Sequence, residues 1–198
     1  MLCFLHQEMT ERHYIICILL CLCCVSMKAQ QRHSDALDDV LQYVPTATSL
    51  ILRASGLKSD IPLKEALVSK CLTAITVAGT TYLLKHSINE WRPDHSDRRS
   101  FPSGHTAIAF SGATALHKEY GKHSVWISIG GYSLATFVAV DRMIKDRHHW
   151  YDVAAGAAIG TLGTELSYYI SHRLFNKKNV HASISYNQVY LCVNLFNQ

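Results

Sequence analysis

Cysteine is scarce in this chain once the first 24 residues are set aside. Cys3, Cys17, Cys21, Cys23 and Cys24 crowd the N-terminal segment, which leaves only Cys71 and Cys192. Two thiols so far apart build neither a disulfide framework nor a metal cluster. Charge is sparse as well: 17% of the 198 residues are Asp, Glu, Lys or Arg, and the formal net charge is +4. No Lys/Arg run is interleaved with aromatics, so the pattern argues against nucleic acid as a partner. A small dispersed positive charge suits anionic lipid head groups or phosphorylated substrates instead. Internal repeats and low-complexity tracts are absent, and the length suits one domain plus a short appendage. Mean hydropathy of +0.05 is low for a chain that crosses a bilayer many times. Several uncharged stretches reach only roughly 17–18 residues, the lower limit for a span. Lys70 and Glu165 interrupt two of them. A membrane bundle and a compact soluble bundle both remain open.

What is present organises into three parts. Arg12 and His13 precede an apolar run from Tyr14 to Met27, and Lys28-Ala29-Gln30 follows with a small residue near a cleavage point. This reads as an export signal over residues 1–30, with an uncleaved anchor as the rival and Met9 as an alternative start. Residues 31–176 read as a helical-bundle domain. An amphipathic stretch covers Ala36–Leu57, with Pro45 and Pro62 as breakers. Leu67, Cys71, Ala74, Ile75, Ala78 and Tyr82 recur at helical spacing and predict a helix over Leu63–His86. A polar loop, Asn89–Phe101, contains Arg92-Pro93. Further helices are expected from Ser103 to His117, from His123 to Met143, and from Trp150 to Leu174. The last is rich in Ala and Gly, which suits close helix approach. Residues 177–198 alternate apolar and polar around Asn187-Gln188 and read as a β-hairpin. The expected fold class is all-α, a bundle of about five to six helices with a short C-terminal β-hairpin.

Three polar blocks interrupt the apolar helices: Lys85-x6-Arg92-Pro93, Pro102-Ser103-Gly104-His105, and Arg142-x5-His148-x3-Asp152. Burying such groups is costly unless they pair with each other or with a ligand, so they are expected to converge. His148 and Asp152 lie four apart and share one helix face. The carboxylate can accept the Nδ1 proton and leave Nε2 nucleophilic. Arg142 offers a guanidinium fork to phosphate oxygens. Ser103-Gly104 opens a helix, where unpaired amides and the dipole make an anion cradle. His105 in the first turn can protonate a leaving oxygen. Lys85 and Arg92 add a point charge and a second fork. Each block alone also reads as ordinary chemistry: junction charges, a plain serine cap, and basic residues favoured at a helix C-terminus.

Taken together and in order, the blocks resemble the tripartite signature of the type 2 phosphatidic acid phosphatase and vanadium haloperoxidase superfamily. The one departure is Asp141, where the family has serine before Arg142; a carboxylate there can pair with Arg142 or Arg147. The resemblance spans residues 85–152 by motif. It implies a metal-independent phosphatase, with no cofactor, in which His148 becomes a phosphohistidine, Asp152 orients it, and His105 is the general acid. Lys85, Arg92, Arg142, Ser103 and the Gly104 amide would hold the phosphoryl oxygens. The implied substrate is a phosphorylated lipid (phosphatidic acid, isoprenyl diphosphate or lipid A) or a small phosphate ester. The implied place is the periplasm or the periplasmic face of the inner membrane. The compact Arg-Pro-Asp…Ser-Phe-Pro-Ser-Gly-His-Thr arrangement resembles the lipid A phosphatase-like branch. Competing readings are a soluble periplasmic acid phosphatase of broad specificity, a vanadate-dependent haloperoxidase, and a non-catalytic lipid-binding envelope protein. Arg98 and Arg99 are candidates for a second anionic group or are solvated loop charges. Trp150 and Tyr151 are expected at the core or rim. No oligomeric state follows from the sequence.

Overall fold

The computed structural model describes residues 35–176, together with the backbone of 180–185 and 188–193. The export signal expected over 1–30 lies outside the described residues. The described body is all-α: α1 (Asp35–Leu41), α2 (Val44–Ala54), α3 (Leu63–Ser87), α4 (Gly104–Tyr120), α5 (Val125–Ile144) and α6 (Trp150–Asn176). The amphipathic stretch expected over Ala36–Leu57 is divided at Gln42–Tyr43. Pro45 does not break it; it sits in the first turn of α2, where the missing N–H has no intrahelical acceptor to satisfy. Pro62, extended at ψ 146°, directly precedes α3. The hairpin expected over 177–198 is not part of this helical body. There only a backbone pairing of Val180–Ser185 with Gln188–Val193 is described.

Helix α4 is the centre of the bundle and packs against α2, α3, α5 and α6. Its small residues permit this. Ala109 and Ala113 meet Ala135 and Val138 of α5 in one apolar cluster, flanked by Leu41, Phe110 and Tyr132. Leu116 and Tyr120 meet Ile127 in a second, against Leu52 and Leu57. The α4–α6 contact is tighter still. A Cβ on Gly156 would lie 2.5 Å from the Ser103 carbonyl oxygen, and one on Gly160 2.3 Å from that of Ala107. Only glycine permits such an approach, and it pins the N-terminal ends of α4 and α6 side by side.

Lys70, which interrupts the apolar pattern of α3, points inward. It pairs with fully buried Glu119 of α4, which also accepts hydrogen bonds from Tyr168 (2.7 Å) and Arg53 (3.3 Å). Lys70 also donates to Ser49 Oγ at 3.1 Å. A charge compensated inside leaves apolar residues outside: Leu67, Ile75 and Leu83 on α3, and Trp126, Ile129, Val140 and Ile144 on α5, are exposed. Helices α3 and α5 are long and apolar enough to cross a membrane, and only 22% and 39% of their apolar windows are buried in the bundle. Replacing Gly160 with alanine is expected to destabilise the fold by about 1–3 kcal/mol through overpacking at the α4–α6 contact. Chemical denaturation checks this, and an unchanged midpoint would contradict the close approach.

Candidate active site

All three polar blocks meet at one end of the bundle. Lys85 lies in the last turn of α3 and Arg92 in the loop that follows; Ser103, Gly104 and His105 open α4; Arg142 closes α5; and Asp152 lies in the first turn of α6, just after His148. The loop between α3 and α4 is held by its own backbone. The Ser100 amide donates to Glu90 O, and the Arg92 amide to Asp97 O, each at 3.1 Å. The Asp94 amide reaches Asp146 O at 3.1 Å and so ties the loop to the α5–α6 turn. Lys85 Nζ donates to the carbonyls of Arg99 and Pro102, both at 2.8 Å, which closes the loop onto the end of α3. Arg92 Nε donates to Asp97 Oδ1 at 2.9 Å. Phe101–Pro102 is a cis peptide.

His148 and Asp152 are buried together, His148 at 3% exposure and Asp152 at 0%. Their Nδ1 and Oδ2 atoms are 3.7 Å apart, which is within ion-pair range but too long for a hydrogen bond. Asp152 Oδ2 instead accepts from Ser100 Oγ and from the His149 amide at 2.8 Å. The direct Asp152–His148 hydrogen bond expected from the spacing is therefore a loose contact, of the kind that tightens when a substrate binds. Burial first, then the positive charges of Lys85, Arg92, Arg142 and His105, pull the His148 imidazole down to about 2. It is neutral at neutral pH, with a free lone pair in a cationic surround.

Ser103 has an extended backbone and starts α4, but its hydroxyl bonds Thr106 Oγ1 at 2.9 Å rather than a helix amide. A Cβ on Gly104 would meet only Thr81 Cγ2, at 3.8 Å. Arg142, nearly buried, donates from Nη1 to Asp38 Oδ2 at 2.7 Å. Lys145 Nζ donates to both oxygens of Asp38 and lies 2.9 Å from Asp141 Oδ2. The carboxylate that stands in for the expected serine is thus paired with Lys145. Burial opposes ionisation of Asp38, yet hydrogen bonds from Lys145 and Arg142 prevail and hold its carboxyl below the usual range. His105 Nε2 lies 2.8 Å from Asp39 Oδ1.

Asp38, Asp39 and Ser100 are site residues that sequence reasoning missed. The aspartates lie 104 and 66 residues from Arg142 and His105, on a helix with no motif. Ser100 had a visible clue, since it stands directly before the Phe-Pro-Ser-Gly-His run. Arg98 is exposed and lies 4.5 Å over the Trp91 ring, so the structure does not bring it into the pocket. Trp150 is 72% exposed and belongs to the rim; Tyr151 donates its hydroxyl to Glu90 Oε1. Among the described residues, Glu90, His149 and Asp152 present metal-type ligand atoms within 4.8 Å of one another. Glu90 and Asp152 already accept these protein hydrogen bonds, and no metal role is assigned to the set.

The PAP2 superfamily matches residues 66–176. The chain is 41% identical over 140 residues to a lipid A 1-phosphatase of Porphyromonas gingivalis, covering 70% of this chain and 32% of that protein. It is 36% identical over 81 residues to lipid phosphate phosphatase 1 of Arabidopsis thaliana, covering 35% of this chain and 25% of that one. The crystal structure of Aquifex aeolicus LpxE superposes with a TM-score of 0.52 and 27% identity, covering 70% of this chain and 88% of that one. The chain spans from a third to a half of the first curated relatives' length, 32% and 46%.

The state of His148 has a consequence for stability. Its pKa falls from 6.5 in an exposed chain to about 2 in the fold, so below pH 6.5 the unfolded state binds a proton that the folded state refuses. Its contribution is intact above 6.5 and is lost progressively as pH falls towards 2. His148→Gln is therefore expected to flatten the loss of stability on the acid side of 6.5, measured by denaturant midpoints on both sides of that pH. An unaltered pH slope would contradict a buried neutral imidazole.

Proposed function

The chain belongs to the PAP2 superfamily, and on that premise we propose that it hydrolyses phosphate esters of lipids through a phosphohistidine. The observation that carries this reading is the neutral, buried imidazole of His148 set among Lys85, Arg92, Arg142 and His105. A neutral imidazole is a nucleophile, and fixed cations around it stabilise the charge spread over a transferring phosphoryl group. Lys85, Arg92, Arg142, Ser103 and the Gly104 amide bind the phosphoryl oxygens. His148 Nε2 attacks phosphorus while the ester bond breaks, and His105 gives its proton to the leaving alkoxide. Asp152 steadies the positive charge that the phosphorylated ring acquires at Nδ1. Water then attacks the phosphohistidine, His105 takes its proton, and inorganic phosphate leaves. The cycle returns every proton and requires no metal.

The substrate class follows from the surroundings. Exposed apolar faces on α3 and α5 suit a lipid environment, and the short loop between α3 and α4 has little room for a lid over a bulky head group. The named relatives are a lipid A 1-phosphatase and a lipid phosphate phosphatase. Of phosphatidic acid, isoprenyl diphosphate and lipid A, the Porphyromonas relative favours lipid A. We place the site at the periplasmic face of the inner membrane, with residues 1–30 as export signal or anchor, 31–176 as the phosphatase domain and 177–198 as a hairpin appendage. Phosphate release from a panel of purified envelope lipids tests the proposal. His148→Ala is expected to reduce release to background, and His105→Ala to slow it by about 10²–10⁴-fold. Undiminished release by folded His148→Ala protein would refute the mechanism.

A further inference from the structure

We propose that Asp39 is a positioning residue for His105, forming with it a second carboxylate–histidine pair that aims the leaving-group acid and favours its charged form. This rests on the phosphatase reading above. Asp39 Oδ1 lies 2.8 Å from His105 Nε2. A carboxylate accepts only, so the Nε2 proton is committed to Asp39, and Nδ1 becomes the nitrogen that exchanges a proton with substrate. As imidazolium, His105 gives its Nδ1 proton to the leaving oxygen. The neutral ring that remains keeps its Nε2 proton on Asp39 and has an Nδ1 lone pair ready for the proton of the attacking water.

The carrier of Asp39 is held in place. Leu41 of α1 packs on the α4–α5 cluster around Ala109 and Ala135. Asp38, the preceding residue, is buried and clamped by Arg142 and Lys145 at 2.7 Å each. Neighbouring residues of one short helix thus address a phosphate-binding arginine and the acid histidine. The need for Asp39 follows from what else faces His105. Burial and the nearby charge of Arg142 disfavour its protonated form, neutral His148 does nothing to help, and among the described residues Asp39 and Asp38 favour it. On balance His105 titrates below its ordinary value, and lower still without Asp39. Asp39 itself is well exposed, with 63% of its side chain accessible, so the fold does not rest on it.

The test compares two leaving groups. A lipid phosphate monoester expels an alkoxide that needs a proton; p-nitrophenyl phosphate expels a phenolate that does not. Asp39→Asn is expected to lower kcat/KM for the lipid ester by about 10- to 100-fold, and clearly less for the aryl ester. Its alkaline limb of kcat/KM against pH should move to lower pH, and Asp39→Glu should restore both properties in part. Equal losses on the two esters, or no loss with an unmoved alkaline limb, would overturn the role of Asp39. Absence of release by the wild type, or full release by His148→Ala, would instead overturn the phosphatase reading and this inference with it.

Discussion

The site depends on the close backbone contact between α4 and α6. Gly156 and Gly160 let the second helix lie against the carbonyls of Ser103 and Ala107, and the Ser103 amide donates to the Asp152 carbonyl at 3.0 Å. That contact fixes the N-terminal end of α4 beside the turn that carries His148. Any side chain at those glycines would separate the helices by more than the tolerance of a phosphoryl-transfer site, where small misplacements are costly. The ion cluster around Glu119 joins α2, α3, α4 and α6 at the other end of α4. The bundle is thereby clamped at both ends.

The electrostatics then follow from burial. Each cation at the site is steered by a structural acceptor: Lys85 by two carbonyls, Arg92 by Asp97, Arg142 by Asp38. Cations held in this way before a ligand arrives suit the proposed phosphoryl binding, since preorganised sites lower the cost of reorganisation. The same cations suppress protonation of His148. One arrangement therefore makes both the cationic surround and the neutral imidazole that the proposed mechanism needs. Asp152 is shared among Ser100, the His149 amide and His148, so its hold on the imidazole is set by how strongly the first two compete.

Much of this was legible in the chain because the relevant residues sit at helix ends, where sequence signals are strongest. Pro102-Ser103-Gly104 marked the start of α4, whereas His148 lies in the turn before α6 and not on one helix face with Asp152, although the two side chains still come within 3.7 Å. The convergence of the three blocks followed from the cost of burying them. Asp38 and Asp39 were not legible, because their partners are distant in sequence and a seven-residue helix has no periodicity to speak of. Lys70 was read as an interruption of an apolar stretch, since nothing local announces its partner Glu119. Asp141 was visible as a departure, but its partner Lys145 becomes apparent only once Asp38 is seen beside both.

The central claim is that His148 carries the phosphoryl group. The most direct measurement is to quench turnover of a lipid phosphate into alkali, where phosphohistidine survives, and map the modification by mass spectrometry. The account predicts one phosphoryl group on the peptide bearing His148, absent in His148→Ala. An active enzyme that carries no phosphoryl group there, or carries it on another residue, would contradict it.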